Sequence, residues 1–378
     1  MTNRNRYDLP ELAGAFGDLG TLIPFVVAYI SLLKMDPAGI LLAFGGSLIV
    51  VGLFYKTPFP VQPMKAIGAA AITQTAGAVA LTPTMVAGAG LVTALLWTAL
   101  AATGLAKRLA QWIPKPALLG VVMGLGFSFM LEGLRMMAQS WAISAALLAL
   151  TLVLLARSRL PAMVLLLVAG AALAVIQQPA LADDLALIKP ALHLPAFAWP
   201  SLGWQDIWLG AVLLALPQLP LTFGNALIAI TEENNRLFPD RPVTERRVAF
   251  STGLLNLFSS AIGGIPMCHG AGGMAGHVKF GARTGGASIM LGVLLTMLAL
   301  FFADSVGTLF RLFPPSVLGV ILFLAGAELA LGSRDPGAEK AERFVVLATA
   351  AIGVLNVGVA VIFGFIAYHA SKRGWLKV

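Results

Sequence analysis

The chain has 378 residues, of which 58% are hydrophobic and only 11% charged. A soluble domain carries roughly 25% charged residues, so this composition excludes a water-soluble globular protein. The net charge of +8 would suit a nucleic-acid partner, but in so apolar a chain basic residues mark cytoplasmic loops, and no nucleic-acid partner is expected.

Long runs such as Ala138 to Ala156 and Thr284 to Ala303 carry no charge. They match the length a helix needs to cross a bilayer. Leu, Ala, Val and Gly dominate without the period-two alternation of a β-barrel. The first residues, MTNRNRYDLPELAGAFGDLG, lack the continuous apolar stretch and cleavage site of a signal peptide. In chain order, spans are expected at 9–33, 38–55, 65–77, 84–106, 115–134, 139–156, 160–177, 206–230, 246–262, 270–280, 284–303, 315–332, 343–355 and 357–371. Phe344 to Ala370 is slightly longer than one crossing and too short for two. Two short helices broken near Gly353–Gly358 are expected there, because a single crossing would put the basic C-terminus outside.

With both termini inside, the loops obey the positive-inside rule. Lys107, Arg108, Lys115, Arg157, Arg159, Arg236, Arg241, Arg246, Arg247, Lys372, Arg373 and Lys377 all fall on the cytoplasmic side. Of the 25 Lys and Arg, only Lys34, Arg135, Lys189 and Arg311 fall outside, and Lys65 lies within the membrane region. The expected location is therefore a bacterial inner membrane, crossed many times, with both termini cytoplasmic.

The two halves resemble each other in order. Pro116, Leu119, Gly120, Val121, Gly133 and Arg135 recur 199 residues later as Pro315, Leu318, Gly319, Val320, Gly332 and Arg334. Phe16-Gly17-Asp18 recurs as Phe223-Gly224-Asn225, and Pro63-Met64-Lys65 as Pro266-Met267-Cys268. An odd number of spans per half inverts one repeat relative to the other. Inverted repeats are typical of secondary transporters, with the substrate site where they meet.

Two segments locate that site. Residues 56–77 place Pro58, Pro60 and Pro63 before a short apolar run. Proline suits the approach to a helix start and not its interior, so extended backbone should lead into a half-helix starting near Met64–Ala66. Residues 262–283 repeat the pattern, with Pro266 followed by Gly270, Gly272, Gly273 and Gly276. Glycine there lets a ligand approach the backbone. Two opposed half-helix N-termini, each carrying about half a positive charge, favour a compact anion. The bland alternative is that these glycines merely let helices pack closely; prolines at matching places in both halves favour the site.

Asp18 is an acid within the first span, paired in the repeat with Asn225. It is a candidate proton carrier or a structural anchor. A bare carboxylate would repel an anion, so Asp18 is expected to be paired, with Lys65 the candidate. Glu132 and Glu328, near span ends, are read as structural. Cys268, the single cysteine, excludes an intrachain disulfide. Neighbouring helix residues diverge by about 100°, so Cys268 and His269 make a poor thiolate–imidazole pair, and with His277 they lack a metal-binding pattern. No catalytic residue, metal or cofactor is expected. His269 is instead read as a donor to the anion.

These motifs resemble the molybdate transporters of plants and bacteria, a family related to the sulfate permeases. The resemblance rests on PMCHGAGGMAGHVKFGARTGG (266–286), LPQLPLTFGNALIAITEENNRLFPDR (216–241), FGDLGTLIPF (16–25) and PVQPMKAI (60–67). FGNALIAITEEN departs from the Thr-Thr-Leu-Asn-Ser pattern of plant members. The resemblance implies an all-α polytopic fold with about 14 transmembrane segments in two inverted seven-helix repeats, 1–178 and 205–378. It implies a core domain from 9–106 and 206–303, and a gate domain from 115–177 and 315–371. Core movement against the gate, a homodimer and a lipid bilayer as surroundings are also implied. Only a few residues follow the last span, so no soluble regulatory domain is expected.

The expected function is secondary transport of molybdate, with tungstate or sulfate as further substrates. The expected site comprises Gln62, Met64, Lys65 and Ala66 of the third segment, and Cys268, His269, Gly270, Ala271, Gly272 and Gly273 of the tenth. Phe16 and Asp18 of the first span and Thr222 and Asn225 of the eighth complete it. The alternatives are a sulfate, bicarbonate or nucleobase permease of the same fold, a passive channel, or a membrane-embedded enzyme. A nucleobase carrier would want acids in the eighth and tenth spans; the tenth has none, and Glu232 and Glu233 fall at the end of the eighth. An enzyme would want converging nucleophile–base pairs or metal ligands, and the sequence offers no convincing set.

Overall fold

The computed structural model describes residues 4–73, 75–76, 79–111, 114–156, 162–331, 339–355 and 357–375. Helix starts follow local chemistry. Helix α1 (Leu9–Ala15) begins where the Asp8 carboxylate accepts the Glu11 N–H at 3.2 Å, with Pro10 in the first turn. The turn Phe16–Asp18 breaks the first span before α2 (Leu19–Ser31). Asp36 starts α3 (Pro37–Tyr55) by accepting from the Ala38 and Gly39 N–H groups at 2.9 and 3.3 Å. The helix stops at Lys56, which turns left-handed at φ 56°.

Strand β1 (Gln62–Pro63) then leads into the half-helix α4 (Lys65–Thr73). A small hairpin of β2 (Thr75–Ala76) and β3 (Val79–Ala80) precedes α5 (Pro83–Ala102), which Thr82 caps. There follow α6 (Leu105–Gln111), α7 (Lys115–Met137), α8 (Trp141–Ala156), α9 (Ala162–Gln177) and the short α10 (Ala180–Ala186). The second half begins with α11 (Trp204–Leu209), α12 (Leu216–Leu221) and α13 (Ile230–Leu237), joined by π-helical stretches at Gly210–Ala215 and Thr222–Ala229. Helix α14 (Glu245–Ala261) leads to β4 (Met267–Cys268) and the second half-helix, α15 (Ala271–Lys279). Last come α16 (Gly286–Phe301), α17 (Val306–Phe310), α18 (Pro315–Leu331), α19 (Lys340–Leu355) and α20 (Val357–Lys372).

Each expected span contains a helix. Among the described residues, four stretches are long and apolar enough to cross a membrane: Leu9–Ser31, Pro37–Tyr55, Pro83–Ala102 and Lys115–Ala156. Counting each of three bent helix pairs as one span brings the number to seven, and Pro315–Leu331 is a shorter apolar helix. The half-helices, nine residues each, reach only about 14 Å and cannot span alone. Val50, Phe54, Leu95, Val153, Val168, Leu347 and Ile366 are each more than half exposed. So many bare apolar side chains fit a hydrocarbon solvent and not water. The chain is a polytopic helical membrane protein.

Helix α3 packs mainly on α16 and α5 on α14, while α7 packs on α18, α19 and α20. Glycines set these contacts by letting backbones meet. A Cβ on Gly133 would fall 2.7 Å from the Gly319 carbonyl, and the converse holds. These are two of the residues that recur between the halves. Their fellow repeat residues Gly332 and Arg334 lie outside the described residues, as do Arg157, Arg159 and Lys377.

Candidate functional site

Pro58, Pro60 and Pro63 keep the chain extended before α4, and Pro266 does the same before α15. The two extended pieces find each other. Strands β1 and β4 pair antiparallel, Gln62 opposite Cys268 and Pro63 opposite Met267. The Met64 N–H donates to the Pro266 carbonyl at 2.9 Å. From α14, Asn256 clamps Met267, donating to its carbonyl at 2.7 Å and accepting from its N–H at 3.0 Å. Backbone that would be orphaned at membrane depth is thereby satisfied. Helices α4 and α15 start directly beyond the pair.

Both half-helix starts carry a neutral cap from the eighth span. Gln218 Oε1 accepts from the Ala66 N–H at 2.8 Å, and Asn225 Oδ1 accepts from the Ala271 N–H at 3.2 Å. Thr222 steadies the first cap by accepting from Gln218 Nε2 at 2.8 Å. All three side chains are buried. The positive ends of α4 and α15 thus meet amide oxygens, which hold no formal charge.

Asp18 lies beside them at the break of the first span. It accepts from the Thr21 hydroxyl and from Gln62 Nε2, the latter at 2.5 Å. Gln62 Nε2 also lies 2.8 Å from Thr21 Oγ1. The other end of that amide, Gln62 Oε1, is buried and has no hydrogen-bond partner among the described residues. It faces Gly270, where an added Cβ would collide with it. A Cβ on Gly273 would lie 2.7 Å from Asp18 Oδ2 and 2.6 Å from Pro60 Cβ. Glycine at these places is what lets α15 lie against the Asp18 cluster.

The expected Asp18–Lys65 pair makes no direct salt bridge among the described residues, although the two groups lie within electrostatic reach of each other. Asp18 is hydrogen-bonded by Thr21 and Gln62, and Lys65 makes no hydrogen bond to it. Its Nζ is buried without a hydrogen-bond partner among the described residues, 3.4 Å from the centroid of the Phe129 ring. Phe129 comes from α7 and also covers Gly272, whose added Cβ would strike the ring. Lys65 and Phe129 line a cavity of about 600 Å³ between α2, α7, α17 and α18, with Thr21, Glu132 and Arg311 also on its wall.

His269 also differs from expectation. Its Nδ1 bonds the Pro60 carbonyl at 2.8 Å and its Nε2 bonds Ser251 Oγ at 2.7 Å. Both ring nitrogens are taken, so the imidazole ties the two extended segments to α14 and has no donor left for an anion. The Pro60 bond requires a proton on Nδ1; in the neutral ring Nε2 therefore accepts from Ser251. Cys268 is buried within β4. His277 bonds the Gly14 carbonyl at 2.8 Å and holds α15 on α1. Met64 is buried behind β1, and Phe16 packs at the junction of the two apolar clusters of the core, so neither offers a polar contact. Glu132 pairs with Arg135 at 3.2 Å, and Glu328 with Lys279 at 3.3 Å.

Four residues of the cluster escaped the reading of the sequence: Thr21, Phe129, Gln218 and Ser251. Gln218 left a signal, an amide in an apolar span flanked by Pro217 and Pro220. Phe129 left none, because an aromatic in an apolar helix looks like any core residue.

The profile of a family described as "Molybdate transporter of MFS superfamily" matches residues 10–129 and again 210–329, one stretch in each half. Molybdate transporter 2 of Arabidopsis thaliana is 31% identical over 94% of this chain and 85% of its own length. Molybdate transporter 1 of Chlamydomonas reinhardtii is 40% identical, over 56% of this chain and 41% of its own length. Among solved structures, the chain is similar to murine Slc26a9, an anion transporter in an inward-facing state. That TM-score is 0.65 at 13% identity, covering 100% of this chain and 70% of that one. The transmembrane domain of the cyanobacterial bicarbonate transporter BicA gives 0.57 at 15% identity, covering 93% and 97%. At such identities these structures establish the fold alone, the one shared by sulfate-permease-like proteins.

Proposed function

This chain belongs to the molybdate transporter family, and from that premise we propose that it carries molybdate across the membrane by alternating access. Its family and its structural neighbours are transporters and not enzymes, and anion transport is common to them. The substrate proposed is a tetrahedral dianion, held between the N-termini of α4 and α15. One observation carries this: β1–β4 pairing sets two half-helix starts together, capped by the neutral amides of Gln218 and Asn225, beside an ammonium that lacks a hydrogen-bond partner among the described residues. A dianion answers both needs, since it complements two positive helix ends and the Lys65 charge.

In this proposal Lys65, Ala66, Gly270, Ala271 and Gly272 face the anion, with Gln62, Gly273, Thr222 and Asn225 supporting them. His269, Cys268, Met64 and Phe16 shape the site without touching its contents. Asp18 is the proposed proton carrier, because protonation would relieve a negative charge beside the anion. The helices 9–106 and 206–303 form the moving core, and 115–177 with 315–371 the gate, in a homodimer of an inner membrane.

Uptake of labelled molybdate into proteoliposomes tests the proposal, with excess sulfate or bicarbonate as competitor. Molybdate should accumulate, and equal sulfate should leave most uptake intact. Sulfate prevailing at equal concentration would transfer the assignment to the sulfate permease reading. Imposing an inward proton gradient should raise the rate in the native chain and not in Asp18→Asn; a rate indifferent to the gradient would remove Asp18 from the coupling role.

A further inference from the structure

Lys65 is an odd residue to leave at membrane depth without a hydrogen-bond partner among the described residues. A buried ammonium normally finds a carboxylate or carbonyl. Here Asp18 is hydrogen-bonded by Thr21 and Gln62 and attracts the ammonium only from beyond contact distance, while the ammonium sits 3.4 Å from the Phe129 centroid. The ring is not free to follow it. Phe129 is buried, its Cβ lies 2.8 Å from where a Cβ on Gly326 would be, and its ring edge fills the place of a Cβ on Gly272. Helix α15 therefore abuts the ring edge and α18 the base of the side chain. The partners also belong to different helix groups. Lys65 opens α4, which packs mainly on α2 and α12, whereas Phe129 belongs to α7, which packs mainly on α18, α19 and α20 and less closely on the Thr222–Ala229 stretch and α15.

Taking the anion site proposed above, we infer that Phe129 is a latch for the empty carrier, holding the Lys65 ammonium on its face until an anion pulls it away. The physical ordering supports the exchange. A cation–π contact is worth about 0.5–2 kcal/mol, and a dianion at hydrogen-bonding distance in a partly dry site offers an ammonium several times more. Anion arrival therefore exchanges one contact for the other. With the ammonium on the ring, α4 is fastened to α7; with it on the anion, that fastening is gone and α4 is free to slide past α7. The empty carrier is held still and the loaded one is released. Phe129 is thus a positioning residue, acting through Lys65.

The test keeps the shape of the ring and changes its electrons. Phe129 is replaced in the full-length chain by mono-, di- and trifluorophenylalanine, which progressively weaken the negative face at nearly constant size. Two quantities are measured in lipid nanodiscs: the Kd for molybdate by calorimetry, and the melting temperature without ligand. The latch predicts that Kd falls with each fluorine, by about two- to thirtyfold across the series. It also predicts that the ligand-free melting temperature falls in step. With Lys65→Met as background, the melting temperature should stop responding to fluorine. A Kd indifferent to fluorination, or a melting temperature that responds equally without the lysine, overturns the latch. Failure of the site itself looks different: Lys65→Met and Gly270→Ala would both retain the native Kd with the natural ring in place.

Discussion

Glycines in and just before α15 do two separable jobs, distinguished by what a methyl group would strike. At Gly276 an added Cβ meets the backbone carbonyl of Gly17, which cannot yield without moving a helix. At Gly270 it meets Gln62 Oε1, the far end of a side chain. Gly276→Ala should therefore cost about 1–3 kcal/mol of stability, read as a lowered melting temperature. Gly270→Ala should fold nearly as well as the native chain, yet push the Gln62 amide into the space between the half-helices. Its molybdate Kd should rise about tenfold, the equivalent of one lost polar contact. Native affinity in Gly270→Ala would place the anion elsewhere. His269 teaches a related lesson about residues. A histidine in a suggestive motif invites a ligand role, but its two nitrogens are occupied by Pro60 and Ser251, and its work is to hold backbone in place.

Among elements, the half-helices depend on the eighth span for their capping. The irregular winding of that span, with π-helical turns at Gly210–Ala215 and Thr222–Ala229, accompanies this role, as π-turns often mark functional places. Its two amides cap α4 and α15 without adding charge. Replacing Asn225 with Asp separates helix stability from anion binding. A carboxylate at the start of α15 favours the helix by about 0.3–1 kcal/mol, but repels a dianion at the same place. Asn225→Asp should thus keep its melting temperature while its molybdate Kd rises by at least about tenfold. A variant that binds molybdate as well as the native chain would rule out the α15 terminus as part of the site.

At the scale of the molecule, the proposed orientation is directly accessible to labelling. Cys268 is the single cysteine and is buried, so Cys268→Ser provides a background without thiols. Cysteines placed at Asp8 or Gly374 should react with an impermeant maleimide only in inside-out vesicles. Cysteines at Leu187 or Trp204, both exposed, should react in intact cells. The reverse pattern would invert the topology.

Much of this architecture is written in the chain, because the bilayer leaves few choices. Long uncharged runs must be helices in hydrocarbon, and a run of prolines such as Pro58, Pro60 and Pro63 keeps the backbone extended before a helix start. Those two rules place most of the spans and put the start of α4 at Lys65. They also mark Gly270 to Gly273 as the start of the second half-helix. What only the tertiary structure decides is who meets whom across the breaks. Asp18 takes Thr21 and Gln62 and not Lys65; Lys65 lies on Phe129; His269 is spent on Pro60 and Ser251. Sequence shows which groups need partners in a membrane. The partners come from helices far apart in the chain, and their choice follows from how glycines let those helices approach.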